Sequence, residues 1–214
     1  FEGKPLYAIK ADIHKYFKSI DHSALKAALR RIIKDKETLW LLDQIIDADG
    51  ENGKGIPVGN LTSQLFANLY LDALAKFIKE ELRVKHYIRY MDDFIILGHD
   101  KLHLWGILRT VELFLRDELG LELNPKTAIV HAKNGVDFCG YRHWKDHKLV
   151  RKSSVRRVYR TIKGYHAGKI AREAFEKSMQ SWLGHIGHAD THHLRRRVLE
   201  KVGHDITLKR RCEE

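Results

Sequence analysis

The sequence predicts an α+β domain, mixed strands with helices on one face, followed by a basic helical segment. Three observations carry this. Short strand-patterned runs alternate with helix-patterned runs as far as about residue 145. From Ser153 onward the apolar spacing is helical. Charge divides in the same region: residues 1–141 hold 20 Lys+Arg and 20 Asp+Glu, residues 142–214 hold 19 and 8, so the whole net charge of +11 (19 − 8) lies in the last third. The boundary is therefore placed near residue 145, giving units 1–145 and 146–214.

Residues 6–13 start with apolar–polar alternation and read as a strand ending by Asp12. Asp21 is an N-cap type ahead of a helix carrying Leu25, Ala28, Leu29, Ile32 and Ile33 at helical spacing. A short helix over ETLWLLDQIID and the turn-rich DADGENGKG follow. Leu61 to about Leu82 reads as one long amphipathic helix. HYIRYM and FIILG flank Asp92-Asp93, which predicts a hairpin with an acidic two-residue tip. A helix over 101–119 stops at Gly120; LELN and AIVHA read as short strands around Pro125-Lys126, and 136–142 as a strand interrupted by a glycine. Helices are expected near 153–163, 169–183 and 190–202.

At 43% hydrophobic and 31% charged, the chain has the composition of a soluble globular protein of one or two domains. No apolar run has the length of a membrane span, so no membrane partner is expected. No signal peptide opens the chain, and since residue 1 is Phe the numbering is expected to begin inside a longer protein. Only Cys139 and Cys212 occur, which suits reduced thiols in a cytoplasmic protein and is too few for an all-cysteine zinc site. His185, His188, His192 and His193 lack the partner pattern of a zinc site. The basic segment suits a polyanion; a solvated basic surface is the plainer alternative.

In an α+β layer, Asp12 at a strand end can lie beside the tip of the 86–98 hairpin. Three carboxylates brought together repel and need an offset, which a hard divalent cation supplies. Two such ions about 4 Å apart suit phosphoryl chemistry, activating a hydroxyl and stabilising a leaving oxygen. An Asp pair in an ordinary hairpin turn is the bland alternative.

These residues carry a resemblance. Tyr90-Met91-Asp92-Asp93 between apolar strands resembles the catalytic signature of reverse transcriptases. Lys10-Ala11-Asp12-Ile13, Tyr16-Phe17 and Ile20-Asp21-His22 are similar to their first aspartate motif. The segment Gly55-Ile56-Pro57-Val58-Gly59-Asn60-Leu61-Thr62-Ser63-Gln64 resembles the loop and helix start between them, and Phe138-Cys139-Gly140-Tyr141 the primer-grip hairpin. The four motifs stand in the family's order over residues 7–141.

The resemblance implies a right-hand polymerase palm followed by a helical thumb, and attack of a primer 3′-hydroxyl on the α-phosphate of a deoxynucleoside triphosphate. It implies two Mg²⁺ ions, with Mn²⁺ as a substitute, held by Asp12, Asp92, Asp93 and the carbonyl of Ile13. Phe17 becomes a steric gate against a 2′-hydroxyl, though a core Phe is the commoner role. Pro57, Val58 and Gly59 lie against the incoming base and template, and Gln64 bonds the template strand or faces solvent. Asn60, Thr62 and Ser63 are also N-cap types. Lys126 matches a lysine that protonates pyrophosphate, with an exposed loop lysine as the alternative. Phe138, Cys139, Gly140 and Tyr141 press on the primer terminus. Arg156, Arg157, Arg160, Arg195, Arg196 and Arg197, in a basic stretch from Arg142 to Arg211, grip the sugar-phosphate backbone. Tyr159, Tyr165 and Trp182 are read as core. The partners implied are an RNA template, a DNA or RNA primer and deoxynucleoside triphosphates, with room for an accessory protein.

An aliphatic residue followed by Gly-Asn-Leu-Thr-Ser-Gln is similar to the reverse transcriptases of diversity-generating retroelements in bacteria and phages, which implies error-prone copying. Group II intron and retron enzymes are the alternatives within the family. Outside it stand a non-catalytic nucleic-acid-binding fragment and another palm enzyme such as a nucleotide cyclase. Eleven residues precede Asp12, so the family's fingers are expected to be missing from this piece or supplied elsewhere.

Overall fold

The computed structural model describes residues 5–203; Arg211 and Cys212 lie outside them. The chain divides into two compact units, residues 1–132 and 133–214. The division falls earlier than the expected 145, because three short strands after residue 135 pair only with one another.

In the first unit, β1 (Tyr7–Asp12), β2 (Tyr87–Tyr90), β3 (Asp93–Gly98) and β4 (Ala128–His131) form an antiparallel sheet in the order β2-β3-β1-β4. Side chains alternate across a sheet. Ile9, Ala11 and Ile13 from the first strand segment, with Phe94 and Ile96 of β3, enter one core. That core is completed by α1 (Tyr16–Ser19), α2 (His22–Ile32), α3 (Lys36–Asp47), α4 (Leu61–Tyr70), α5 (Asp72–Lys76) and α6 (Lys101–Leu119). Asp12 and Asp93, paired in register, therefore point to the opposite face.

The caps behave as the side-chain chemistry requires. Asp21, Asp35 and Asp100 accept from the backbone N–H groups of Ala24, Thr38 and Leu102, and Gly120 ends α6 at φ 62°. The expected helix from Leu61 to Leu82 is broken instead. It turns at Leu71 (φ −85°, ψ 2°) and finishes in a π-helical turn, Phe77–Glu81, closed by Leu82 N–H on the Phe77 carbonyl at 3.0 Å. Packing decides this: Phe77 stacks on Phe114 at 4.1 Å while Ile78 is fully buried. LELN is not a strand either; only Ile13 and Leu123 bridge there.

In the second unit, β5 (Val136–Phe138), β6 (Tyr141–His143) and β7 (Lys148–Val150) form a small antiparallel sheet, so 136–142 is a hairpin rather than one strand. Helices α7 (Lys152–His166), α8 (Arg172–Ile186) and α9 (His192–Val202) follow. Val158, Ile162, Phe175, Met179, Trp182 and Val198 form their core, with Tyr159 and Tyr165 packed against it.

Candidate active site

The β2–β3 turn consists of Met91 and Asp92, because Tyr90 pairs with Asp93. The acidic tip expected at Asp92-Asp93 is thus shifted by one residue. Asp92 stands in the turn and Asp93 begins β3, directly opposite Asp12 of β1. Opposed residues in an antiparallel pair have Cα atoms about 4.5–5.5 Å apart. Met91 takes φ 55°, an unusual conformation for a residue with a Cβ. The turn is fastened from behind: one Arg89 guanidinium nitrogen donates to the Met91 carbonyl at 3.1 Å and to Asn68 Oδ1 at 3.2 Å.

Burial, and after it the charge of Asp12, push the Asp92 carboxyl above its ordinary range, against a backbone hydrogen bond that pulls it down. The Tyr16 phenol, raised chiefly by burial, lies within the field of both Arg89 and Asp92 and donates to the Ala67 carbonyl. Asp12 is oriented by Asn124, whose Nδ2 donates to its Oδ2 at 3.0 Å and whose backbone N–H donates to its carbonyl at 2.7 Å. Asn124 Oδ1 also accepts from the Lys126 backbone N–H at 3.1 Å. One asparagine thus ties the Asp12 carboxylate to the turn that carries exposed Lys126.

The donors are hard oxygens, and burial with the nearby charge of Asp12 makes the Asp92 carboxylate costly to ionise, the electrostatic setting that a divalent cation relieves. Among the described residues no three His, Cys, Asp or Glu side chains form a ready-made metal cage. A small divalent cation keeps waters and substrate oxygens in its shell and needs few protein ligands. Asp12, Asp92, Asp93 and the Ile13 carbonyl are the groups that would hold it.

Phe17 lies on α1, half-buried and edge-on to Tyr16 at 5.7 Å. Its carbonyl accepts from Ile56 N–H at 2.9 Å, which joins the aspartate motif to the Gly55–Gln64 segment. Pro57 is half-buried, while Val58, Gly59 and Gln64 are exposed. Asn60 occupies the N-cap of α4 without a side-chain cap bond, and Ser63 is buried.

In the second unit, Cys139 (φ 47°) and Gly140 (φ 88°) form a two-residue turn with both residues left-handed, joining Phe138 to Tyr141. Tyr141 stacks on His185 at 4.7 Å and donates its hydroxyl to the His185 carbonyl at 2.8 Å. Burial, aided by Arg157 and His188, lowers the proton affinity of His185. Arg157, Thr161, Ser178, Ser181 and His185 line a groove of about 480 Å³.

Arg89 and Asn124 were not among the expected site residues, and His22 and His185 were named without the contacts they make here. Arg89 gave a signal: it sits in phase with the inward-facing Tyr87, while Ile88 and Tyr90 are exposed. Asn124 gave none beyond its place before Pro125.

A four-stranded antiparallel sheet thus pairs Asp12 with Asp93 and carries Asp92 in the adjoining turn. The family model described as "Reverse transcriptase (RNA-dependent DNA polymerase)" matches residues 2–143, and the chain belongs to that family. It is 28% identical over 198 residues to the "Putative COX1/OXI3 intron 2 protein" of Saccharomyces cerevisiae, covering 62% of this chain and 23% of the relative. It is 26% identical over 193 residues to "Protein YkfC" of Escherichia coli, covering 72% and 49%. To the "Group II intron-encoded protein LtrA" of Lactococcus lactis it is 23% identical over 248 residues, covering 83% and 39%. The chain thus spans between 23% and 49% of these relatives' lengths. Its fold is similar to that of apo telomerase from Candida tropicalis, with TM-score 0.56 and 16% identity over 84% of this chain and 41% of that one. Telomerase from Candida albicans with a telomeric RNA fragment gives 0.54 and 13%, over 93% and 41%.

Proposed function

We propose that this chain is the palm and thumb part of an RNA-directed DNA polymerase, extending a primer 3′-hydroxyl on an RNA template by two-metal-ion catalysis. The observation that carries the reading is the opposition of Asp12 and Asp93 across the β1–β3 pair with Asp92 in the next turn. Asp12, Asp92, Asp93 and the Ile13 carbonyl would hold divalent ions, whose chemistry when bound would be Lewis-acid activation of a hydroxyl and stabilisation of charge on phosphate oxygens. The chain's own groups orient and select. Asp12, held by Asn124, presents its carboxylate; Phe17 lies under the sugar and clashes with a 2′-hydroxyl; Pro57, Val58 and Gly59 lie against the base and template. Lys126 supplies a proton to departing pyrophosphate. The arginines of α7 and α9 hold the nucleic-acid backbone.

The test is primer extension on RNA and DNA templates with Mg²⁺ or Mn²⁺ in the full-length protein. The double variant D92N/D93N is expected to lose at least a thousandfold in rate, the scale of a lost electrostatic centre. Equal extension by the variant would sink the mechanism.

The finer reading is an error-prone enzyme of a diversity-generating retroelement, supported by Val58 before Gly-Asn-Leu-Thr-Ser-Gln. An exposed apolar Val58 offers no hydrogen bond to a nucleotide, so discrimination there is weak. Val58→Gln is expected to lower misincorporation, most at template adenine; an unchanged spectrum disposes of this role.

A further inference from the structure

His22 opens α2 and is buried, 7% exposed, yet both ring nitrogens face acceptors. Nε2 lies 2.7 Å from the carbonyl of Gly55, 33 residues along the chain. Nδ1 lies 3.4 Å from Asp47 Oδ1, and Asp47 also takes Lys26 Nζ at 2.6 Å. A carbonyl only accepts, so Nε2 carries the proton in this contact. Three backbone bonds run beside it: His22 N–H to the Gly53 carbonyl at 2.9 Å, Gly55 N–H to Ile20 at 2.8 Å, and Ile56 N–H to Phe17 at 2.9 Å. Gly55 itself is buried at φ 97°, where a Cβ would come to 3.4 Å from the Lys18 carbonyl.

Residues 17–22 and 53–56 are thus laced into one strip. It carries the proposed sugar gate, Phe17, on one side and runs directly into Pro57-Val58-Gly59 on the other. The backbone bonds could be made by almost any sequence. The link to the Gly55 carbonyl needs a side chain of this reach with an N–H at its end, and without it a buried carbonyl loses its donor.

We propose that His22 is a positioning residue for nucleotide selection. Its bond to Gly55 sets where Pro57-Val58-Gly59 stands relative to Phe17, and so sets discrimination between deoxyribo- and ribonucleoside triphosphates. The proposal rests on the polymerase reading above, and in particular on Phe17 as the gate. A merely structural His22 would stabilise the unit without bearing on which sugar is accepted.

The experiment compares wild type, H22A, H22N and H22Q in the full-length protein, by amide hydrogen exchange and by single-nucleotide incorporation with deoxy- and ribonucleotides. In H22A the Gly55 and Ile56 amides are expected to exchange about tenfold faster, the scale of one buried hydrogen bond. The Ile9 and Ile96 amides of the sheet stay unchanged. KM for the deoxynucleotide rises about as much, kcat moves less, and the deoxy-to-ribo preference falls. H22Q, whose amide N–H can reach the carbonyl, restores these values, and the shorter H22N does not. Unchanged exchange at Gly55 and Ile56 overturns the proposal, as does faster exchange with wild-type sugar preference. Should H22A not fold, the wild-type ring decides: a slowly exchanging Nε2 proton is expected, and exchange as fast as at exposed His103 overturns it. Extension that ignores Asp92 defeats the polymerase reading and this role with it, whereas the exchange result still reports the clamp.

Discussion

At the scale of single residues, the Asp92 carboxylate carries an electrostatic cost. Asp92 sits half-buried near Asp12, and both burial and that charge hold its proton more tightly than in the unfolded chain. The folded state therefore binds protons better than the unfolded state between the two pKa values. Asp92's contribution to stability is greatest at low pH and is lost as pH rises through its raised folded pKa. Asp92→Asn should accordingly raise the melting temperature of the metal-free protein at pH 7, by on the order of 1–2 °C, since water screens a side chain this open. The gain should fade as pH falls, and Mg²⁺ should stabilise wild type more than the variant. Calorimetry across pH with and without Mg²⁺ checks this; a variant less stable than wild type at pH 7 contradicts it. The placement of Asp12 beside the hairpin that carries Asp92 and Asp93 was legible in the sequence, because the strand patterns flanking them are local. The long-range bonds around them were not: Arg89 reaches Asn68 across 21 positions and Asn124 reaches Asp12 across 112, as His22 reaches Gly55 across 33 in the neighbouring strip. No local period encodes such pairs.

At the scale of elements, strong periodicity and capping chemistry carried the reading. Helix α2 starts after Asp21 and α6 ends before Gly120 because those residues satisfy the helix ends. What escaped were elements too short for a period to register: the single turn α1, the strand β7 and the π-helical turn at Phe77–Glu81. The hairpins differ instructively. At Cys139-Gly140 both residues are left-handed, the geometry for which Asn-Gly is favoured. Cys139→Asn should therefore stabilise the second unit by about 0.5 kcal/mol. Gly140→Ala should cost about 1–2 kcal/mol, since its Cβ would stand 3.1 Å from His185 Cε1 at φ 88°. Denaturant midpoints test the pair; equal effects of the two changes would count against the turn geometry. Loss of primer extension in Cys139→Asn, with stability retained, would mean that the tip needs its thiol.

At the scale of the whole molecule, the chain divides into two compact units at residue 132, ahead of the border near 145 that charge and helical spacing suggest. Between the expected boundary region and the observed one, residues 133–141 add only Lys133 and Asp137, which cancel. The count is thus 19 − 19 = 0 for residues 1–132 and 20 − 9 = +11 for residues 133–214, indistinguishable in sum from the split at 141. Contacts invisible to composition join the β5–β7 sheet to the helical unit, Tyr141 donating to the His185 carbonyl and the Lys148 N–H to Asp190. The consequence is electrostatic. Arg156, Arg157 and Arg160 are exposed on α7, whose buried side carries Val158 and Ile162. If they meet phosphates, each contact adds about 0.9 to the slope of log K against log salt. The triple variant R156A/R157A/R160A should weaken binding to a template–primer duplex at low salt and flatten that slope by about 2–3. Because backbone contacts carry no sequence information, the loss should be equal on unrelated sequences. Titrations at several salt concentrations decide it. Weaker binding with an unchanged slope would mean that these arginines support the fold of the second unit rather than the phosphates, and the basic surface would then need another purpose.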